Sequence, residues 1–190
     1  ADPFGAHNEK YLRRCFPDLT RPFKQHYVVD LCIPSEVLVC RHHRTAAQKV
    51  FKKVFVEECK KPIQFLDTWV ELYGILIRRH LIRGVPAFSR ESFELQLQLP
   101  GVVAFRAFDE QGDTVGMTLW FVQGEAGYYH LGAYNEKGYS TNASYGLFWF
   151  AIQHFRELGL RWLNLGGGGG IKSGHEDGLT WFKKGWANQT

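Results

Sequence analysis

The sequence lacks the long apolar run that a membrane-spanning helix needs. Its apolar stretches, such as residues 54–56 and 149–152, are far shorter than the roughly 20 residues that cross a bilayer. Proline is also scarce, with seven in 190 residues, whereas 45% of the chain is hydrophobic and the aromatics are 15 Phe, 8 Tyr and 6 Trp. A chain of this composition buries a core, so intrinsic disorder is excluded.

Cysteine is infrequent and shows no pairing pattern. The four cysteines form no CxxC motif and are too few for a disulfide scaffold; they are Cys15, Cys32, Cys40 and Cys59. No charged segment followed by an apolar stretch opens the sequence. We therefore expect a protein of a reducing compartment, the cytoplasm.

The net positive charge is small, but the basic residues are clustered. The formal charge of +4 does not by itself indicate a nucleic-acid-binding protein. Basic residues crowd two segments, 41–61 and 78–83. Two interpretations stay open: solvent-exposed helix faces, or a positive patch for a phosphate-bearing substrate.

Several common catalytic and cofactor motifs are missing. The glycine run 166–170 continues with Ile171 and Lys172, so the glycine that a P-loop places before its lysine is absent. No predicted helix starts directly after the run, which argues against a dinucleotide fold. No HExxH or GxSxG pattern occurs, so we expect neither a metal site nor a serine-hydrolase site. The run is either a flexible loop or a loop that lets a ligand approach bare backbone.

Composition and apolar periodicity predict two parts, a tail or the remnant of an upstream region at residues 1–26 and one domain at residues 27–190. Within the domain it predicts helices at residues 34–53, 63–83, 89–99 and 144–158, and strands at 27–31, 102–108, 114–122, 127–134 and 161–165. Three of these strands form a meander, and the last strand can lie parallel to an earlier one. The predicted class is α+β (mixed α/β).

Five stretches, in this order, resemble the GNAT superfamily, and within it the FemAB-like (BioF2-like) acyltransferase domains. They are residues 41–49, 129–135, 144–152, 159–167 and 178–186, and the last, with its Gly-Leu and Phe-Lys pairs, is the most specific. The resemblance implies a central, mostly antiparallel sheet with a parallel strand pair, flanked by helices. It also implies transfer of an acyl or aminoacyl group, from acyl-CoA or aminoacyl-tRNA, to an amine or hydroxyl acceptor.

The sequence departs from the family pattern at three places. Asn164 replaces the usual Asp, Ala187 replaces a frequent Gly, and residues 138–143 lack the loop that holds the pyrophosphate of acetyl-CoA in ordinary GNAT enzymes. The donor therefore stays open. The family often has two tandem domains, which implies a further GNAT-like domain or a homodimer. A catalytically silent GNAT-like binding or dimerisation module is the alternative to an enzyme.

The resemblance also assigns candidate site residues. Lys183 lies at the Phe-Lys position, beside the reacting carbonyl or a substrate phosphate. His130 is a candidate base for an attacking amine, the alternative being a hydrogen-bonded structural histidine. Candidate donor- or substrate-binding residues are Arg41, Arg44, Tyr129, Asn135, Asn142, Ser144, Gly166 and Gly167.

These candidates have distinct expected roles. Arg41 and Arg44 would anchor a phosphorylated acceptor or the acceptor stem of a tRNA. Asn142 and Ser144 begin a predicted helix whose free amides suit a phosphate, although Ser144 is equally a plain cap. No tightly bound cofactor is expected, acyl-CoA being a donor substrate. The expected acceptor is a small molecule or a cell-wall precursor.

Overall fold

The computed structural model describes residue 4 and residues 8–21, 24–168 and 177–188. The helices are α1 (Glu9–Cys15), α2 (Ser35–Leu38), α3 (Arg41–Val50), α4 (Leu66–His80), α5 (Arg90–Gln96), α6 (Glu136–Thr141), α7 (Ala143–Glu157) and α8 (Gly178–Lys184). The strands are β1 (Val28–Asp30), β2 (Phe55–Glu58), β3 (Val102–Phe108), β4 (Thr114–Gln123), β5 (Ala126–Tyr134) and β6 (Trp162–Asn164).

The strands form one six-stranded sheet in the order β1-β6-β5-β4-β3-β2. All neighbours pair antiparallel except β5 and β6, which are parallel. Because α7 connects β5 to β6, it supplies the crossover that a parallel pair requires. The predicted fold class and the predicted parallel pairing of the last strand are confirmed.

Helices cover both faces of this sheet and give two cores. Strand residues alternate between the faces, so neighbouring side chains enter different cores. One core packs α3 and α7 against the sheet, with Leu147, Ile152 and Phe155 fully buried. The other packs α4 and α5 against it, around Trp69 and Phe93. No helix in the described residues is long and apolar enough to cross a membrane.

The sequence prediction differs from the structure in five elements. The helix predicted at 34–53 is interrupted, because Val39 and Cys40 are extended, with ψ of 130° and 149°. The helix predicted at 63–83 starts as a 3-10 turn over Pro62–Phe65. Strand β2 and helix α6 were not predicted. The tail contains α1, whose residues are all outside the cores.

Candidate functional site

A gap in the strand pairing begins where β6 ends beside β5. The two strands pair through three residues each, ending with Tyr128 opposite Asn164. Strand β6 then ends, whereas β5 continues to Tyr134. Gly166 turns the chain away with a φ of 74°, a conformation that suits glycine. Residues 165–168, called the glycine loop below, therefore lie where the pairing between β5 and β6 has ended.

Asn164 holds the glycine loop in this position. Its side-chain oxygen accepts a hydrogen bond from the Gly166 N–H at 2.8 Å and lies 3.1 Å from Nδ1 of His26. The Gly166 carbonyl in turn accepts from the Tyr27 N–H at 3.1 Å. An aspartate would offer the same acceptor oxygen, so Asn164 keeps the hydrogen-bonding role at the position where the family usually has Asp.

Lys183 reaches the glycine loop from α8. Its side chain is 5% exposed, its Nζ donates to the Gly167 carbonyl at 2.6 Å, and the same Nζ lies 5.7 Å from the ring centre of Tyr129. Burial, assisted by the positive charge of Lys24, lowers the pKa of Lys183 to about 8. The structure thus brings together four predicted site residues: Lys183, Tyr129, Gly166 and Gly167.

His43 fixes α8, a role that the sequence analysis missed. It is fully buried, and its Nε2 lies 2.9 Å from the Phe182 carbonyl, so Nε2 carries the hydrogen. Its Nδ1 faces the Cys40 sulfur at 3.1 Å. The ring lies against Gly185, where a Cβ would collide with it. Burial lowers the pKa of His43, which favours a neutral ring. Within a basic segment, nothing in the sequence distinguishes this histidine from its exposed neighbours.

A second opening, called the α7 cleft below, lies at the start of α7. It has a volume of about 330 Å³ and is lined by His42, Thr45, Ala46, Lys49, Val50, Lys53, Ser140, Thr141, Asn142 and Tyr145. Asn142 is left-handed, with φ of 58°, and its side chain makes no capping hydrogen bond. The positive end of the α7 dipole and the two lysines make the cleft suitable for an anion.

The remaining donor-binding candidates do not line the α7 cleft. Ser144 is in the first turn of α7 but does not line the cleft, and neither Arg41 nor Arg44 lines it. Lys49 of α3 and Lys53, in the turn after α3, do line it. Asn135 caps α6, accepting from the Gly138 N–H at 2.8 Å and donating to the Thr114 carbonyl at 3.1 Å. Its side chain is therefore engaged in positioning α6.

His130 is not brought to Lys183. An irregularity in the β4–β5 pairing leaves His130 without a register partner, and it packs on Phe88 and Phe121 beside α5. Its Nε2 lies 2.9 Å from the Gln96 side-chain oxygen, and burial lowers its pKa. Tyr129 packs instead on Phe148 of α7, on the opposite face. This placement agrees with the alternative of a structural histidine.

The described residues contain no group of three His, Cys, Asp or Glu side chains arranged to hold a metal ion. Cys59 is buried, which raises its pKa to about 12 and makes its thiol a poor nucleophile at neutral pH. The chemistry that these residues offer therefore centres on the glycine loop with Lys183 and on the α7 cleft.

Three solved structures illustrate the similarity in fold. FemX has a TM-score of 0.68 at 15% identity, covering 90% of this chain and 62% of its own. L-PGS from Bacillus licheniformis has a TM-score of 0.67 at 16% identity, covering 94% and 61%. The C-terminal domain of a protein described as a lysylphosphatidylglycerol synthetase, from Agrobacterium fabrum, has a TM-score of 0.62 at 16% identity, covering 76% and 46%.

The chain spans less than two thirds of each of these three structures. No protein of curated function matches the sequence. The family model described as an acetyltransferase (GNAT) domain matches residues 42–182, from the start of α3 to α8. That range contains the end of the β5–β6 pairing, the glycine loop and the α7 cleft. The chain therefore belongs to the GNAT acetyltransferase domain family.

Proposed function

We propose that this domain transfers an acyl or aminoacyl group from an activated donor to an amine or hydroxyl acceptor, with Lys183 as the catalytic residue. The observation that carries the proposal is the buried Lys183 ammonium, which lies at the glycine loop beside the separating strands. Membership of the GNAT family supports it. Burial and the charge of Lys24 disfavour the Lys183 ammonium more than Asp177 favours it, and an oxyanion formed in the reaction would stabilise it further.

The chemistry requires a positive group at the reacting carbonyl. When the acceptor attacks the donor carbonyl, the carbonyl oxygen gains negative charge in the tetrahedral intermediate. Lys183 would donate a hydrogen bond to that oxygen until the leaving group departs. With a pKa of about 8, Lys183 is mostly protonated at neutral pH and can donate. Its buried position strengthens the interaction, because water does not screen it there.

The α7 cleft would hold the phosphate groups of the donor. Lys49, Lys53 and the amino end of α7 face one opening, a combination that binds phosphate. Both acyl-CoA and aminoacyl-tRNA carry phosphates, so the cleft suits either. The similarity in fold to a protein described as a lysylphosphatidylglycerol synthetase supports an aminoacyl donor. The similarity to FemX supports our expectation of a cell-wall precursor or small molecule as acceptor.

Part of the acceptor site would come from outside these residues. The similar structures are longer than this chain, which supports a second GNAT-like domain, or a second copy in a homodimer, that completes the acceptor contacts. The four cysteines are free thiols, which is consistent with our expectation of a reducing cytoplasm.

The test compares donors on one protein preparation. Calorimetric titration with CoA, acetyl-CoA and aminoacyl-tRNA identifies the donor, and an assay of acyl transfer to model amines then measures turnover. We expect Lys183→Met to retain donor binding and to lose turnover by about a hundredfold. The matched control is Lys184→Met, because Lys184 is the exposed next residue of the same helix.

Two results would reject the proposal. Full turnover in Lys183→Met would remove this lysine from the chemistry. A folded wild-type protein that binds none of the three donors, and shows no turnover, would favour the catalytically silent module instead.

A further inference from the structure

One end of the sheet, called the cleft end below, collects the second basic segment that the proposed reaction does not use. At this end β3 and β5 finish, and β2 and β4 begin, because these strands alternate in direction. Helix α6 follows β5 there, and α7 starts there. The carboxyl end of α4 reaches the same place, since Arg79 Nη1 lies 3.2 Å from Glu136 of α6.

The cleft end carries an excess of positive charge. Its basic residues exceed its acidic ones, Asp109, Glu110, Asp113 and Glu136. Two of these four acids are already paired, Asp109 with Lys137 at 2.5 Å and Glu136 with Arg79. The basic residues are Lys49, Lys52, Lys53, Arg78, Arg79, Arg83 and Lys137, together with His80.

Exposed apolar residues follow the carboxyl end of α4 and begin β2, the elements that end and start there. Leu81 is 76% exposed and Val85 is 87% exposed in the turn after α4, and on the other side Phe55, which starts β2, is 53% exposed. Each lies within a few residues of a basic one, Arg83 for the first pair and Lys53 for Phe55. Exposed branched aliphatic residues beside basic residues are typical of proteins that bind at a lipid interface.

The turn that carries Leu81 and Val85 is held in place. The Tyr73 hydroxyl donates to the Pro86 carbonyl at 2.6 Å, and the Ala87 N–H donates to the Gly84 carbonyl at 2.9 Å. Leu81 has a φ of 51°, a left-handed conformation in which glycine or asparagine is the usual residue. The turn therefore exposes the apolar side chain of Leu81 at a helix-end position that glycine or asparagine usually occupies.

We propose that the cleft end is a docking surface for an anionic phospholipid bilayer. Lys52, Arg78 and Arg83, which do not line the α7 cleft, would contact the headgroups, and Leu81, Val85 and Phe55 would enter the interface. Charge alone would serve a nucleic acid equally well, but the aliphatic pair gains nothing from a phosphate backbone. The α7 cleft opens at this end and would then face the headgroups. Binding to a bilayer does not depend on the proposed acyl transfer.

Sedimentation with vesicles tests the proposal. We expect the full chain to sediment with vesicles of equal parts phosphatidylglycerol and phosphatidylcholine, less so at high salt, and not with phosphatidylcholine alone. The double variants Leu81→Ser/Val85→Ser and Arg78→Gln/Arg83→Gln should each weaken binding by about tenfold. None of these four residues lines the α7 cleft or contacts Lys183.

Matched controls use the opposite end of the sheet. Leu99 and Leu158 are exposed there, and Lys60 and Lys61 follow the end of β2. The variants Leu99→Ser/Leu158→Ser and Lys60→Gln/Lys61→Gln remove the same kinds of side chain and should leave vesicle binding unchanged.

Three outcomes would overturn the proposal. The first is the absence of sedimentation with anionic vesicles at low salt. The second is an equal loss of binding in the control variants. The third is loss of tRNA binding in Arg78→Gln/Arg83→Gln while vesicle binding is unchanged, which would make the surface a nucleic-acid site.

Discussion

The ammonium group of Lys183 lies in an environment that disfavours its own charge. It is almost completely buried, and its neighbours include Lys24, whose Nζ donates to Gly168 at 2.9 Å. Lys183 Nζ donates a hydrogen bond to the neutral Gly167 carbonyl, and the negative charge of Asp177 offsets only part of the cost of burial. The residue is thus poised to gain more from an oxyanion than a solvated surface lysine would.

The first prediction concerns the pH dependence of turnover. Because burial lowers the pKa of Lys183 to about 8, this residue loses its proton as the pH rises through that value. We expect kcat/KM for the donor to fall on the alkaline side with an apparent pKa near about 8. A pH series of initial rates at donor concentrations well below KM measures it, and a value that stays constant to pH about 10 would contradict it.

The second prediction concerns the free energy of unfolding. In the unfolded chain Lys183 regains its ordinary pKa of 10.5, so between pH about 8 and 10.5 the unfolded state binds the proton that the folded state has released. Stability therefore rises with pH across this window. Below it, the charge costs the folded state about 3 kcal/mol.

The variant Lys183→Met removes this charge with its free-energy cost and keeps an apolar side chain. The variant should exceed the wild type in stability at neutral pH, and the difference should shrink as the pH approaches about 10. Urea unfolding of both proteins at several pH values measures the difference, in which the other titrating groups cancel. A difference that does not change with pH would show that the folded lysine titrates normally.

The third prediction concerns His43. We expect His43→Ala to destabilise the domain by about 2–4 kcal/mol, because it leaves a cavity and removes the donor to the Phe182 carbonyl. His42→Ala is the control, since His42 is the exposed preceding residue of α3. Chemical unfolding measures both. Equal unfolding midpoints for the two variants would mean that the contact of His43 with α8 contributes little to stability.

At the scale of elements, α6 is positioned by the absence of one side chain. A Cβ on Gly138 would collide with the Val115 backbone carbonyl, whereas a Cβ on Gly178 would meet no atom of the described residues within 4 Å. Helix α6 provides Ser140 and Thr141 to the α7 cleft, so its position sets the shape of that cleft. The backbone oxygen of β4 cannot move without disturbing the sheet.

The fourth prediction follows from this difference. Gly138→Ala should displace α6, lower the affinity for the phosphate-bearing donor and destabilise the fold by about 1–3 kcal/mol. Gly178→Ala, at the first position of α8, should leave both unchanged or raise stability slightly. Calorimetry with the donor and thermal unfolding measure the two effects. Unchanged donor affinity in Gly138→Ala would show that the position of α6 does not determine donor binding in the α7 cleft.

The elements show why the sequence predicts some parts of the fold better than others. The bounds of β3 agree with its prediction, and those of β4 and β5 differ by one residue, because alternation and turn signals are both clear there. Strand β2 has only four residues and lies next to two lysines. Such a short segment does not show the alternation of apolar and polar residues that predicts a strand. The break at Val39 and Cys40 depends on a backbone bond from Cys40 to Gly185, far away in sequence.

The candidate site was predictable to a similar degree. Lys183, Tyr129, Gly166 and Gly167 were found because the family resemblance places them, and the structure brings them together. The opposite faces of Tyr129 and His130 follow from their being neighbours in a strand. The roles of His43, Lys49 and Lys53 depend on which side of α3 faces α7 and α8, and one basic segment does not reveal this.

At the scale of the whole molecule, one sheet carries both cores and the functional site. The α3 and α7 face holds Lys183 through α8, and the α4 and α5 face holds the turn with Leu81 and Val85. Strands β3, β4 and β5 contribute side chains to both faces. Because the two cores share these strands, unfolding of the strands from one core would expose the apolar surface of the other.

The fifth prediction is therefore a single cooperative unfolding transition. Phe93→Leu acts in the core of α4 and α5, and Phe155→Leu in the core of α3 and α7, and both side chains are almost fully buried. Each variant should lower stability by about 1–2 kcal/mol and shift the whole transition, with tryptophan fluorescence and far-ultraviolet circular dichroism remaining coincident. If instead each variant shifted one probe alone, the two faces would unfold separately, and the sheet would not couple the site on one face to the docking turn on the other.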